Sequence, residues 1–263
     1  MVEFRQVTPH VGGGWQNSAM EIAELIDVLD REGHLMADAA AKAGTDARVP
    51  TCPECRVREL LSHTGRVHRW ARRYVIEGLT EGVRLGDDPE LDGAELVAWF
   101  REGHRALVKA LTDADPDLEC FAFLPAPSPL AFWARRQAHE TAIHRVDAES
   151  ALGADHSPFD PAFAADGIDE LLTRFHGRER SRVRMDTPRT LRLRATDTDD
   201  IWTVRLSEEP PHTTRGAEGD ADCELTGPVG ELYLVAWNRL PYSALSGKGD
   251  LSLAQVWREQ SRV

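Results

Sequence analysis

Glu140 and His144 stand four residues apart in the segment RRQAHETAIHRVDAE, residues 135–149. On a helix that spacing puts a carboxylate and an imidazole on one face, about a turn apart, where two groups can grip one ion. Gln137 and Asp147 extend the same stripe. Such a row either faces water or lines a polar site. The segment lacks the paired-histidine spacing of the zinc proteases, because His139 and His144 are five apart and diverge around the helix. A catalytic zinc takes three protein ligands and leaves a fourth position for water or substrate, so a third donor must come from another helix. His63 is the natural donor; His68 lies on a neighbouring stripe, and His104 is a rival ligand or, more simply, a hydrogen-bonded core histidine. Asp147 is placed to orient one of the ligands, with a surface salt bridge to Arg136 or Arg145 as the plainer alternative.

Cys52-Pro-Glu-Cys55 has a spacing shared by zinc ribbons and thiol oxidoreductases. No second cysteine pair completes a ribbon, and no βαβ pattern surrounds it. Thr51 as a cap, Pro53 at a first helical position and Glu54 three beyond Thr51 read more simply as a helix start. The other cysteines are Cys120 and Cys223, so all four are expected as thiols without a structural disulfide.

The elements that must position these residues follow from periodicity. Ile22, Leu25, Ile26, Leu29 and Met36 recur at helical spacing until Gly44. A second helix carries Val57, Leu60, Leu61, Val67, Ala71 and Val75. A third is predicted over about 93–112, and a fourth follows LPAPSPL and ends at Gly153. Four long helices point to an up-down bundle, whose facing side chains commonly build metal sites. A fifth helix, PAFAADGIDELLTRFHG, is expected on its outside. From Arg189 the period becomes two: TLRLRATDTDDIWTVRLSEE reads as a hairpin and ADCELTG as a strand. PVGELYLVAWNRL then reads as a helix, and GKGDLSLAQVWREQ as a short strand or turn with a closing helix. The fold class is α+β.

Composition limits the function. The chain has 263 residues, 41% of them hydrophobic, enough for two modest cores. A formal net charge of −13 repels a phosphate backbone and argues against nucleic acid. No apolar run is long enough to span a membrane, and the first residues lack a signal-peptide pattern, which points to the cytoplasm. A small molecule is the expected partner; nothing here sets an oligomeric state.

CPECRVRELLSHTG, PLAFWARRQAHETAIHRVDAE and ADCELTGPVGELYLVAWNRL together resemble the actinobacterial mycothiol-dependent maleylpyruvate isomerase family, from about residue 18 to the end. Its members commonly read Cys-Pro-x-Trp, then Leu-x-x-His, and later His-Glu-x-x-x-His-Arg-x-Asp-Ala. The resemblance implies a DinB-like metal-binding antiparallel four-helix bundle over 1–180 and a small α+β domain, related in shape to sterol carrier proteins, over 181–263. It implies His63, Glu140 and His144 as ligands of zinc or another divalent metal, mycothiol as thiol cosubstrate, and an arginine of the second domain, Arg239, toward a substrate carboxylate. The implied chemistry is thiolate addition to an activated double bond, ending in cis-trans isomerisation or in S-transfer. A metal-dependent hydrolase and a non-catalytic regulatory protein on the same scaffold are the alternatives. Cys55 stands where the family usually has tryptophan, and residues 1–18 extend beyond the usual start.

Overall fold

The computed structural model describes residues 20–153 and 155–262, so the extension of residues 1–18 lies outside the described residues. The chain divides into two compact units after Ser157. The division falls well before the expected boundary at 180, because the segment that follows joins the second unit's core.

The first unit contains four long helices, α1 (Ile22–Ala43), α2 (Val57–Glu77), α3 (Gly93–Thr112) and α4 (Pro129–Ser150), with a two-stranded hairpin of β1 (Arg48–Val49) and β2 (Cys52–Arg56) between α1 and α2. Local chemistry sets the helix ends. The Asp92 carboxylate accepts from Gly93 N–H at 2.7 Å before α3. Ser128 Oγ accepts from Ala131 N–H at 3.1 Å before α4, with Pro129 at the first helical position, where its missing N–H costs nothing. Gly78 ends α2 in the left-handed region, φ 60°.

The start of α2 corrects the sequence reading. Thr51, Pro53 and Glu54 do not open the helix; they lie in the hairpin, and α2 begins at Val57, where the Glu59 carboxylate accepts from Arg56 N–H at 2.7 Å. Two cap-like signals lie five residues apart, and burial decides between them: Val49 and Val57 are both fully buried and pin the hairpin to the bundle core. Cys52 and Cys55 are joined by a disulfide across β2, where free thiols were expected. Cys120 and Cys223 are thiols.

Helix order also differs from a simple up-down arrangement. Both α1 and α2 pack along α3 and α4, while α1 and α2 barely touch, nor do α3 and α4. Consecutive helices α1 and α2 therefore sit on a diagonal, which the connection through the hairpin is long enough to span. Helix α4 is enclosed by α1 and α2 and is buried on nearly every side.

The second unit holds α5 (Pro161–Asp169), a π-helical turn over Glu170–Phe175, and a five-stranded sheet in the order β5-β4-β3-β6-β7. Its strands are β3 (Arg189–Ala195), β4 (Ile201–Leu206), β5 (His212–Arg215), β6 (Cys223–Gly227) and β7 (Ser246–Gly249). Strand β3 pairs with β4 antiparallel and with β6 parallel; Leu191 lies opposite Val204 and Cys223, and Leu193 opposite Trp202 and Leu225. All six are buried and alternate along their strands, so one face of the sheet carries the core. Helices α6 (Val229–Ala236) and α7 (Ser252–Gln260) complete the unit. Helix α5, expected outside the bundle, packs instead on α6. The chain is α+β. Among the described residues, no helix is long and apolar enough to cross a membrane.

Candidate metal centre

Helix α4 presents Gln137, Glu140, His144 and Asp147 on one stripe, and the stripe is not a solvated face. Gln137 and Asp147 are buried, and the Glu140 and His144 side chains are 24% and 17% exposed. Burying charged groups is costly unless each finds a partner, and Glu140, His144 and Asp147 each do. His144 Nδ1 lies 2.9 Å from Asp147 Oδ2, and Thr51 Oγ1 donates to Asp147 Oδ1 at 2.6 Å. Arg136, one turn before Glu140, approaches its Oε2 at 3.4 Å. Glu140 Oε1 is left facing two imidazole nitrogens, His144 Nε2 at 3.2 Å and His63 Nε2 at 3.3 Å.

These distances test whether a metal fits. With metal–ligand bonds of about 2.0–2.1 Å, ligand atoms on a tetrahedral ion stand about 3.3 Å apart. The three donor atoms all lie within 4.8 Å of one another, and the two contacts to Glu140 match the tetrahedral spacing. The Asp147 carboxylate takes the His144 Nδ1–H, which directs the lone pair of neutral His144 at Nε2 toward Glu140 Oε1. Two lone-pair-bearing atoms held 3.2 Å apart need a cation between them, either a proton or a metal. Without a metal the proton serves: burial alone would depress the His144 pKa, but hydrogen bonds to Asp147 and Glu140 overrule it and push the group up to about 9. The same pairing works on Glu140 from the other side. Burial would raise its pKa, and the hydrogen bonds with His144 and His63 hold it well below the usual carboxylate range.

The family model for the mycothiol maleylpyruvate isomerase N-terminal domain matches residues 27–149, and that for the MDMPI C-terminal domain matches residues 162–255. The chain belongs to the mycothiol-dependent maleylpyruvate isomerase family. The crystal structure of the mycothiol-dependent maleylpyruvate isomerase is similar in fold, with TM-score 0.60 and 13% identity over 87% of this chain and 93% of that one. A histidine-to-alanine variant of the same enzyme gives TM-score 0.60 and 12% identity over the same shares. No curated protein matches the chain in sequence.

Within this family member the structure brings together His63, Glu140, His144 and Asp147. Arg239 belongs to the second unit, where it follows Asn238, a non-glycine residue at positive φ, and donates from its guanidinium to the Trp237 carbonyl at 2.9 Å. His68 is fully buried with Nε2 2.8 Å from Thr141 Oγ1, so it is a core histidine; burial first, then the charge of His104, keeps its pKa well below the ordinary value. Trp133 and Trp70 pack in the aromatic core and donate to the Phe121 and Val83 carbonyls, and Trp99 lies beneath the Arg69 guanidinium. Sequence reasoning missed two participants. Thr51, which the sequence presents as a helix cap, holds Asp147, and Arg136, a candidate partner of Asp147 by sequence, approaches Glu140. The i,i+4 spacing of Arg136 and Glu140 was the one available signal for the second.

Proposed function

We propose that this chain is a metal-assisted, mycothiol-dependent enzyme, an isomerase or S-transferase acting on a small electrophilic metabolite, with His63, Glu140 and His144 holding zinc or a similar divalent ion. The observation that carries this reading is the convergence of one carboxylate oxygen and two imidazole nitrogens from α2 and α4, in a chain of this family. A divalent ion with an open position lowers the pKa of a thiol and keeps it as thiolate at neutral pH. Glu140 contributes the negative charge of the site. Asp147 selects the tautomer of His144, and Thr51 holds Asp147 in turn. His63, 47% exposed, is the donor on the solvent side, where a thiol cosubstrate enters. Arg239 is assigned the substrate's carboxylate on the chemistry of its guanidinium, which matches a carboxylate at two points.

The substrate chemistry follows from a thiolate nucleophile. Its sulfur adds to an activated double bond, the resulting single bond rotates, and loss of the thiol restores the double bond in the other geometry; release of the adduct instead gives S-transfer. The test is metal analysis of wild type, His63→Ala and His144→Ala, combined with turnover of maleylpyruvate and a model electrophile with and without mycothiol. One equivalent of metal lost relative to wild type in both variants, with turnover that requires mycothiol, supports the reading. Metal content unchanged from wild type in both variants, or hydrolysis that proceeds without thiol, refutes it.

A further inference from the structure

A second cluster repeats the donor layout of the first on the other helix pair of the bundle. Asp30 and His34 are four apart on α1, as Glu140 and His144 are on α4, and His104 of α3 supplies the third group, as His63 of α2 does. Asp30 Oδ1 lies 3.5 Å from His34 Nε2 and 3.6 Å from His104 Nε2, and the three donor atoms lie within 4.8 Å of one another. We propose that Asp30, His34 and His104 form a second divalent-cation site that ties α1 to α3.

The His104 imidazole is fixed by shape. Its side chain is 2% exposed, and it lies directly over Gly33, where an added Cβ would fall 2.2 Å from Cε1 and 2.4 Å from Nε2. A glycine inside a helix is unfavourable relative to alanine, and here it opens the floor on which the ring rests with Nε2 turned toward Asp30. The Asp30 carbonyl oxygen also lies 3.2 Å from Nε2, so an ion at this site takes the place of that hydrogen bond and the ring's proton moves to Nδ1. The other two donors are free to adjust, since the Asp30 and His34 side chains are 47% and 52% exposed. One rigid buried imidazole and two adjustable groups at the surface give an ion an entry path and let the wider side of the cluster close. Two imidazoles and one carboxylate favour zinc, cobalt, nickel or copper over magnesium and calcium. An ion bound there would stabilise the bundle, because it binds the folded arrangement of α1 and α3 and not the unfolded chain.

The test uses tag-free, full-length, metal-stripped protein titrated with Co²⁺, followed by visible absorption, and with Zn²⁺, followed by thermal unfolding. Wild type is expected to take up two equivalents and His63→Ala one. His34→Ala, a change at a half-exposed position that leaves the core intact, is expected to take up one equivalent in the wild-type background. In the His63→Ala background it should weaken the remaining equivalent by about 100-fold or more and abolish the metal-dependent rise in Tm. Uptake in the two backgrounds separates this site from the α2/α4 site, so failure of either is visible alone. The proposal is overturned if His34→Ala changes neither stoichiometry nor the cobalt spectrum, or if His63→Ala binds no metal.

Discussion

The sharpest consequence of the α2/α4 geometry is a competition between proton and metal at His144. With Asp147 on Nδ1 and Glu140 against Nε2, the metal-free imidazole is held protonated, its pKa pushed up to about 9. A metal can use Nε2 only after that proton leaves. At pH 7 the imidazolium outnumbers the neutral ring by about 100 to 1, so apparent metal affinity should rise nearly tenfold per pH unit until the pKa is approached and gain about 50-fold, or about 2.3 kcal/mol, between pH 7 and pH 9. The assay is competition against a chelator whose own protonation is corrected, at half-unit steps from pH 6.5 to 9.5, with the ¹⁵N shifts of His144 followed in the metal-free protein. The stability of the metal-free protein moves the other way. A histidine whose folded pKa exceeds its unfolded value of about 6.5 contributes stability that is full below pH 6.5 and lost as pH climbs through about 9, here up to about 3 kcal/mol. Metal-free protein should therefore lose urea resistance between pH 6.5 and 9.5 while its metal affinity climbs. A flat affinity profile over this range, or a His144 ring that titrates near 6.5, would refute the tautomer and charge assignments together.

Other outcomes follow from named contacts. Thr51→Val removes the donor to Asp147 Oδ1, and metal affinity should fall about 10-fold with retained helicity, since a group that orients a ligand's partner acts at one remove; unchanged affinity in a chelator titration contradicts this role. Arg145→Met should cost about 1–3 kcal/mol in denaturant unfolding, because it leaves the fully buried Glu32 only its pairing with Arg31 and leaves Glu149 only the Ser157 N–H and hydroxyl, while Glu32→Met with Arg145→Met together should recover part of the loss. Cys52→Ser with Cys55→Ser should leave metal stoichiometry unchanged, since neither sulfur belongs to a donor cluster among the described residues; loss of one equivalent would return the pair to the list of ligands.

Much of this was legible in sequence because helices announce themselves locally. The fourth helix is expected between LPAPSPL and Gly153, and α4 runs over Pro129–Ser150 within a few residues of those limits; Glu140 with His144 follows from helical spacing alone. His63 needed only the requirement for a third donor. What escaped notice depends on groups far apart in the chain. Thr51, Pro53 and Glu54 form as good a helix start as Arg56 and Glu59 do; the choice between them is made by burial of Val49 and Val57 and by Asp147, 96 residues from Thr51. The apolar positions of α5 show that it buries a face, but not that α6 is what it buries against. Asp30 and His34 carry the same i,i+4 spacing as Glu140 and His144, yet only the arrival of His104 over Gly33 makes a cluster of them.

The two polar systems of α4 belong together mechanically. Arg145 donates from Nε to Glu32 Oε2 of α1 at 2.7 Å, and from its terminal nitrogen to Glu149 and the Ser157 carbonyl, both at 2.7 Å, with the guanidinium fully buried. A buried ion pair contributes little net stability beside an apolar replacement, but it is intolerant of misplacement, because a small rotation strands charge in a low-dielectric core. Successive side chains on a helix project about 100° apart. Fastening Arg145 onto α1 therefore fixes the rotation of α4 about its own axis, and that rotation decides whether His144 and Glu140 face His63 on α2. The helix is held by charge on its α1 side, which leaves Glu140 and His144 facing His63 on its α2 side at the spacing the proposed ion requires.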